Sequence, residues 1–340
     1  MAHHPAGIIG LGVAIPEHRL TNAELETMVD TSDEWIVNRT GIRERPIAPP
    51  ETATSDLATQ AAARALADAG LTPADLDLII VSTVTPDMAF PATACLVQAR
   101  LGATCPAFDL EAACTGFIYG LSVAQQFINT GTYRHVLVIG AETLSRITDY
   151  QHRGTCILFG DGAGAAVVGR VSSRYGFLST SLGADGSGAD VLKQPAGGSR
   201  LPASAETVAA RQHYIQMDGS EVFKFAVRIM TDATEAVLAG CGAKVADIDL
   251  VVPHQANARI VDAAAKRLGL KAEQLIVNID RFGNISSASI PIALEEAYRT
   301  GRIRQGHLVV LVGFGAGLTW GSMAIRWSKD RALSRSEAAC

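Results

Sequence analysis

Several kinds of signal are missing from this chain. There is no Cys-x-x-Cys pair among its 340 residues, so neither a zinc ribbon nor a thioredoxin-like dithiol is indicated. Its six cysteines stand at 95, 105, 114, 156, 241 and 340. Spacing this irregular reads as reduced thiols rather than a disulfide framework. No apolar run approaches the roughly 18 residues of a membrane span. The opening residues MAHHPAGIIG lack a basic stretch leading into a long apolar one, so no signal peptide is expected. The reading is therefore of a cytoplasmic protein with no membrane partner. Net charge is a mild −5 and no basic block occurs, so no nucleic-acid partner is expected. Two glycine-rich stretches, GLGVAI (10–15) and GDGAGA (160–165), fall short of a dinucleotide fingerprint. The first has no third glycine, the second leads into a strand-like run, and no phosphate-loop motif occurs. Both read as close-packing glycines.

What is present is core-forming material, 48% hydrophobic and 19% charged, enough for about two domains or one fold with two halves. Strand-like and helix-like segments alternate. Strands are predicted at 6–15, 77–85, 105–113, 135–143 and 162–171, and helices at 22–29, 32–40, 54–70, 92–102 and 114–131. In the second part, helices are predicted at 220–240, 257–270 and 286–301, and strands at 248–255, 307–315 and 318–327. Near-continuous apolar strands between helices argue an α/β fold whose sheets are covered on both faces. ADLDLIIVST (74–83) and ADIDLVVPHQ (246–255) echo each other and suggest duplication. The stretch 183–216 has little periodicity and reads as a long loop.

Cys114 follows a strand-like run and opens a helix-like one. A first-turn cysteine faces unpaired N–H groups and the positive end of the helix dipole, a setting that favours the nucleophilic thiolate. The competing reading is a small buried core residue. His254 sits in the turn PHQAN after a buried strand, Asn284 in the loop RFGNISSAS, and Gly315–Ala316–Gly317 in a turn between two strands. Strand ends and loops are where α/β folds place their sites. Individually these could be a hydrogen-bonded histidine, a cap and a hairpin. Together, a thiol, an imidazole, a carboxamide and free N–H groups can carry out acyl transfer. Cys, His and Asn also occur in papain-like proteases, but Cys114 lies far from the N-terminus and lacks the aromatic that follows such a cysteine.

Six segments, TSDEWIVNRTGIRER (31–45), DLEAACTGFIYGLSVA (109–124), FGDGAGAAVV (159–168), VPHQANARI (252–260), RFGNISSASIPIAL (281–294) and GFGAGLTWGS (313–322), resemble β-ketoacyl-acyl-carrier-protein synthase III in order and spacing. The resemblance runs from about residue 6 to 327. It implies a thiolase-like five-layer αβαβα fold made of two duplicated βαβαβ halves, residues 1–172 and 173–330, with a tail at 331–340, in a homodimer.

It further implies that Cys114, His254 and Asn284 are catalytic and that the backbone N–H groups of Cys114 and Ala316 form an oxyanion hole. Coenzyme A would contact Thr31, Trp35, Arg39, Arg153, Gly154 and Asn257, with Trp35 and Arg153 sandwiching the adenine. Phe90 would reach from the partner subunit into the acyl pocket. An acidic acyl carrier protein would meet Lys224, Gln255, Ala256, Asn257, Ala258, Arg259, Lys266 and Arg267. The implied reaction is decarboxylative condensation of an acyl-CoA primer with malonyl-acyl-carrier protein through an acyl-cysteine, with no metal or bound cofactor. The alternatives are a specialised acyl-transferring or starter-unit enzyme of a secondary-metabolite pathway, and a non-catalytic acyl-CoA-binding protein, which the intact Cys–His–Asn set argues against. The turn at 315–317 has alanine where some members carry three glycines, which leaves open whether position 316 needs positive φ.

Overall fold

The structure, a computed structural model, describes residues 4–330; the expected tail at 331–340 lies outside the described residues. In chain order the strands are β1 (Ala6–Ala14), β2 (Arg19–Thr21), β3 (Glu44–Pro46), β4 (Leu78–Ser82), β5 (Ala107–Leu110), β6 (His135–Thr143) and β7 (Asp161–Arg170). They continue as β8 (Gly176–Ala184), β9 (Leu192–Lys193), β10 (Gln216–Met217), β11 (Leu250–Pro253), β12 (Leu308–Gly315) and β13 (Thr319–Arg326). Two sheets dominate, ordered β1-β7-β6-β4-β5 and β11-β12-β13-β8.

The sheets repeat one pattern. In the first, β1 and β7 pair antiparallel, β7 and β6 antiparallel, and β6 and β4 parallel. In the second, β8–β13, β13–β12 and β12–β11 follow the same sequence of directions. The fifth strand of the first sheet, β5, has only a single bridge, Leu275 to Val251, as its counterpart. The ADxDL echoes occupy equivalent places. Asp77 accepts from His135 N–H at 3.0 Å, and Asp249 from Leu308 N–H at 2.7 Å, each tying its strand to the next.

The layers follow from which face each residue buries. Leu78 and Ile80 point one way and pack, with Val136 and Val138, on Phe117, Leu121 and Ile128 of the helix Gly116–Asn129. That helix and Ser289–Arg299 lie between the sheets, so the other side of the same cluster is Val252, Leu311, Met323 and Ile325. Ile79 and Val81 point outward to the helices Thr54–Ala69 and Thr93–Leu101. Gly219–Gly240 and Ala258–Leu268 cover the far side of the second sheet. Helix, sheet, helix, sheet, helix is the resulting order. Strands covered on both faces need apolar side chains at every position, which is why they read as continuous runs. In β1, a Cβ at Gly10 or Gly12 would lie 2.3 Å from backbone atoms of Ala65, so these glycines let strand and helix approach.

Three expectations need correction. The helix predicted at 22–29 stops at Leu25. The strand predicted at 105–113 is only Ala107–Leu110, because Cys114 sits in a 3₁₀ turn, Ala113–Thr115, before the helix proper starts at Gly116. The stretch 183–216 is not a plain loop: it holds the end of β8, a 3₁₀ run at Gly186–Val191, the ribbon strand β9 paired with β10, and a short helix at Ala205–Ala209.

Candidate active site

The two helices between the sheets begin in the same way. Each is preceded by a 3₁₀ turn, Ala113–Thr115 or Ser286–Ala288. Each turn opens on a non-glycine residue with positive φ, 46° at Ala113 and 44° at Ser286. Such residues are uncommon and cluster at functional sites. Each is braced by the side chain two positions earlier: Ala113 N–H donates to Glu111 at 3.0 Å, and Ser286 N–H to Asn284 Oδ1 at 2.8 Å. The duplication thus brings Cys114 and Asn284 to one locus from opposite halves.

One cavity of about 650 Å³ contains Cys114, His254 and Asn284 in its wall, together with Phe314 and Gly315. All three are buried, Cys114 at 8%, His254 at 1% and Asn284 at 7% exposure. Asn284 is fixed by its backbone, which forms an isolated bridge with Phe159: its N–H donates to Leu158 O at 2.9 Å and its carbonyl accepts from Gly160 N–H at 3.0 Å. With Oδ1 engaged by Ser286, the amide's NH₂ is its remaining donor end. His254 is held by its N–H to Val312 O at 2.8 Å and by edge contact with the Phe314 ring at 5.6 Å. Neither ring nitrogen has a protein partner. Burial pushes the imidazole down to about 3, so it is neutral at physiological pH.

The thiol departs from expectation. Despite its place at a helix start, burial pushes Cys114 up to about 12, and the nearby Glu142 and Glu111 carboxylates add to that. Desolvation outweighs the dipole here, so the resting residue is a thiol. A Cβ at Gly315 would lie 2.8 Å from the Cys114 nitrogen, so the turn after β12 is in close contact with the Cys114 backbone. In that turn positive φ falls on Gly317, at 136°, and not on Ala316, so alanine is accommodated without strain.

Toward the other end of the cavity, the Arg153 guanidinium sits 4.0 Å from the centre of the Trp35 ring and Arg39 5.2 Å from it. Gly154, Ala256, Asn257, Arg259 and Lys224 also line it. The Asn257 side chain is already committed: Oδ1 caps the helix Ala258–Leu268 through Arg259 N–H at 2.9 Å, and Nδ2 donates to Arg39 O at 3.0 Å. Ala258 is half-buried, packed against Gly41. Lys266 and Arg267 are exposed in the last turn of that helix, outside the cavity.

Two expected contacts fall elsewhere. Thr31 is not in the cavity wall. Gln255, expected at a carrier-protein surface, is 1% exposed, with its NH₂ donating to Pro253 O and Ile276 O and its Oε1 accepting from Asn278 N–H. The strand end before it turns the side chain into the core. Phe90, expected to reach into a partner's pocket rather than its own, is 86% exposed and lies outside the cavity of its own chain.

Sequence reading missed several residues that build the site. Arg45 is fully buried, donating to Leu20 O at 3.0 Å, Asn22 Oδ1 at 2.9 Å and Ile157 O at 2.7 Å, with burial pushing it down to about 10. It anchors the segment on which Asn284 is hung. Glu142, buried at the end of β6 and bonded to the Ser287 hydroxyl at 2.7 Å, and Ser286, with its positive φ, were also missed. No motif flags them, since a carboxylate at a strand end becomes notable only once its burial is known.

A buried thiol opposite two neutral side chains, on this duplicated five-layer scaffold, is the arrangement of a thiolase-fold condensing acyltransferase. Family models described as 3-oxoacyl-[acyl-carrier-protein (ACP)] synthase III and its C-terminal region match residues 108–186 and 238–327. A β-ketoacyl-[acyl-carrier-protein] synthase III of Caldanaerobacter subterraneus subsp. tengcongensis is 62% identical over 325 residues, covering 95% of this chain and 98% of the relative. The crystal structure of 3-oxoacyl-[acyl-carrier-protein] synthase III from Aquifex aeolicus superposes with a TM-score of 0.88 at 49% identity, over 95% of this chain and 100% of the other. The priming β-ketosynthase of the R1128 polyketide pathway gives 0.90 at 35% identity, over 96% and 98%. The chain belongs to the β-ketoacyl-[acyl-carrier-protein] synthase III family.

Proposed function

We propose that this protein condenses an acyl-CoA primer with malonyl-acyl-carrier protein, releasing carbon dioxide and starting a fatty acyl chain. The observation that carries the reading is the meeting of Cys114, His254 and Asn284 in one cavity wall that also includes Trp35 and Arg153. Cys114 sulfur attacks the primer thioester, and coenzyme A leaves. The N–H groups of Cys114 and Ala316 receive the oxyanion, each donor worth about 3 kcal/mol of barrier. The malonyl thioester then replaces coenzyme A. As its carboxylate departs, charge gathers on the thioester oxygen, where the neutral His254 in its Nε2–H form and the Asn284 NH₂ stabilise the enolate. A neutral pair suits this step, because an anionic group would oppose the developing charge. The enolate carbon attacks the acyl-cysteine and its bond to sulfur breaks, giving the β-ketoacyl product and a cysteine thiolate that takes a proton from solvent. The reading calls on no metal or bound cofactor.

Trp35 and Arg153 are assigned to the adenine of coenzyme A; the guanidinium now lies 4.0 Å from the indole centre, so it must swing away for the flat ring to stack between them. Arg259, Lys266 and Arg267, with Lys224 at the cavity, are assigned to the acidic carrier protein. Phe90 and the outer strand β5, with Phe108 also exposed, are assigned to a homodimer contact, and the location to the cytoplasm. Incubation with acyl-CoAs of graded length plus malonyl-acyl-carrier protein should give β-ketoacyl-carrier protein, and Cys114→Ala should abolish it. Acyl exchange without any β-keto product would sink the proposal.

A further inference from the structure

Among the described residues, three other than glycine have positive φ. Two of them, Ala113 and Ser286, open the turns that carry Cys114 and follow Asn284. The third is Arg211, at 55°, in the 183–216 stretch. It closes the short helix Ala205–Ala209: Arg211 N–H donates to Val208 O at 3.0 Å and Gln212 N–H to Thr207 O at 3.0 Å. Glycine is the unstrained choice at such a helix end. What arginine adds there is a side chain, so the contacts of that side chain are the place to look for a function.

The Arg211 guanidinium forks onto Asp149. Nε donates to Asp149 Oδ2 at 2.9 Å and a terminal NH₂ group donates to Oδ1. The guanidinium also lies 4.7 Å from the centre of the Tyr214 ring. Isolated exposed ion pairs contribute little, but a bidentate pair with a half-buried carboxylate is better placed. The Arg211 hydrogen bonds hold the Asp149 carboxyl below the usual carboxylate range, so the pair is charged at neutral pH.

Asp149 in turn shapes the chain ahead of Arg153. Its Oδ1 accepts from Gln151 N–H at 2.8 Å, and its carbonyl accepts from His152 N–H at 3.0 Å. Arg153 follows at once, opening the short helix Arg153–Cys156 with its guanidinium over Trp35. The 183–216 stretch meets the same segment a second time, through Ile215 N–H to Ile147 O at 2.9 Å. Ile215 and Met217 pack in one cluster with Trp35 and Tyr150. Met217 pairs with Leu192 across the ribbon β9–β10, and both line the cavity, as do His152, Arg153 and Gly154. Asp149 and Arg211 do not line it. They join two stretches of its wall from outside.

We propose that the Asp149–Arg211 pair is a positioning element for coenzyme A, fastening the 183–216 stretch to the turn that presents Arg153. The inference rests on the assignment of Trp35 and Arg153 to the adenine. Arg153 has to leave the Trp35 face to admit a flat ring between them. With the turn held at Asp149, that movement is confined to the Arg153 side chain. With the pair broken, the turn and the ribbon beside it have to be ordered again each time the nucleotide binds, and that cost is subtracted from affinity. The reacting end of the substrate, at Cys114, is unaffected.

The test compares two thioesters, acetyl-CoA and acetyl-pantetheine, which lacks the nucleotide, in initial rates at saturating malonyl-acyl-carrier protein. Asp149→Asn keeps an acceptor for Gln151 N–H and removes the charge. Arg211→Gly removes the side chain and suits the positive φ, so it carries the test if the other variant does not fold. Each should raise the acetyl-CoA KM about 3–10-fold, the cost of ordering one or two side chains, with kcat unchanged. The kcat/KM for acetyl-pantetheine should stay at the wild-type value, which a general disturbance of the site would not spare. The double variant should match the single ones, because both remove one interaction. An unchanged acetyl-CoA KM in both variants, or an equal loss with acetyl-pantetheine, overturns the role of the pair alone. A wild-type protein that uses the two thioesters equally well does not recognise the nucleotide, which overturns the adenine assignment and the pair with it.

Discussion

Asn284 Oδ1 accepts the Ser286 N–H at 2.8 Å, so the carboxamide has a fixed orientation with its NH₂ as the free end. The contact separates two functions of the side chain. Asn284→Asp keeps the acceptor and replaces the donor with an anionic oxygen. Acetylation of Cys114 should proceed within a few-fold of wild type, while decarboxylation of malonyl-carrier protein should fall by about 10²–10³, the usual loss of one oxyanion donor. Measuring carbon dioxide release beside acyl-enzyme formation checks this; parallel loss of both would contradict it.

His254 is neutral because burial holds it near 3, against 6.5 for an exposed imidazole. The condensation step should accordingly show no histidine limb between pH 5 and 8. The sign for stability follows from linkage. Between about 6.5 and 3 the unfolded chain binds a proton that the folded one does not, so this residue favours unfolding increasingly as pH falls. At pH 4 the difference is at most about 3–4 kcal/mol, from about 1.4 kcal/mol per pH unit below 6.5. His254→Asn should therefore lose less thermal stability than wild type between pH 7 and 4, measured by the shift in Tm. An identical pH dependence in both proteins would refute the neutral assignment.

A Cβ at Gly315 would stand 2.8 Å from the Cys114 nitrogen and 3.2 Å from its Cβ. Gly315→Ala should displace the nucleophile turn and misdirect its N–H. The expected result is a loss of about 10²-fold or more in acylation kcat with acyl-CoA KM changed little. A variant with normal kcat and raised KM would place this turn in binding instead.

Arg153 lies 4.0 Å above the Trp35 ring. If the two hold one ligand ring between them, each truncation to Ala should raise acyl-CoA KM by about 3–30-fold, the worth of a cation–π contact. The double variant should be little worse than either single one, because the effects share a partner. Full additivity in KM would assign the residues to separate contacts.

Much of the scaffold was legible in the chain itself. Apolar strands without alternation require sheets covered on both sides, and the paired ADxDL segments occupy equivalent strand entries in the two sheets. Cys114, His254 and Asn284 stand out because each sits where a strand or helix ends, a local property that sequence carries. What the chain could not reveal was set by neighbours distant along it. The thiol's protonation depends on how completely the fold buries it, and burial overrides the dipole that local sequence suggests. Gln255 faces inward and Phe90 outward for reasons of packing, although both sit in equally polar surroundings in the sequence. Glu142 and Ser287 lie 145 positions apart and are joined at 2.7 Å, a contact that exists only once the two halves have packed. Local pattern specifies elements and faces, whereas desolvation and proton affinity depend on the sum of surrounding atoms, which only the folded chain assembles.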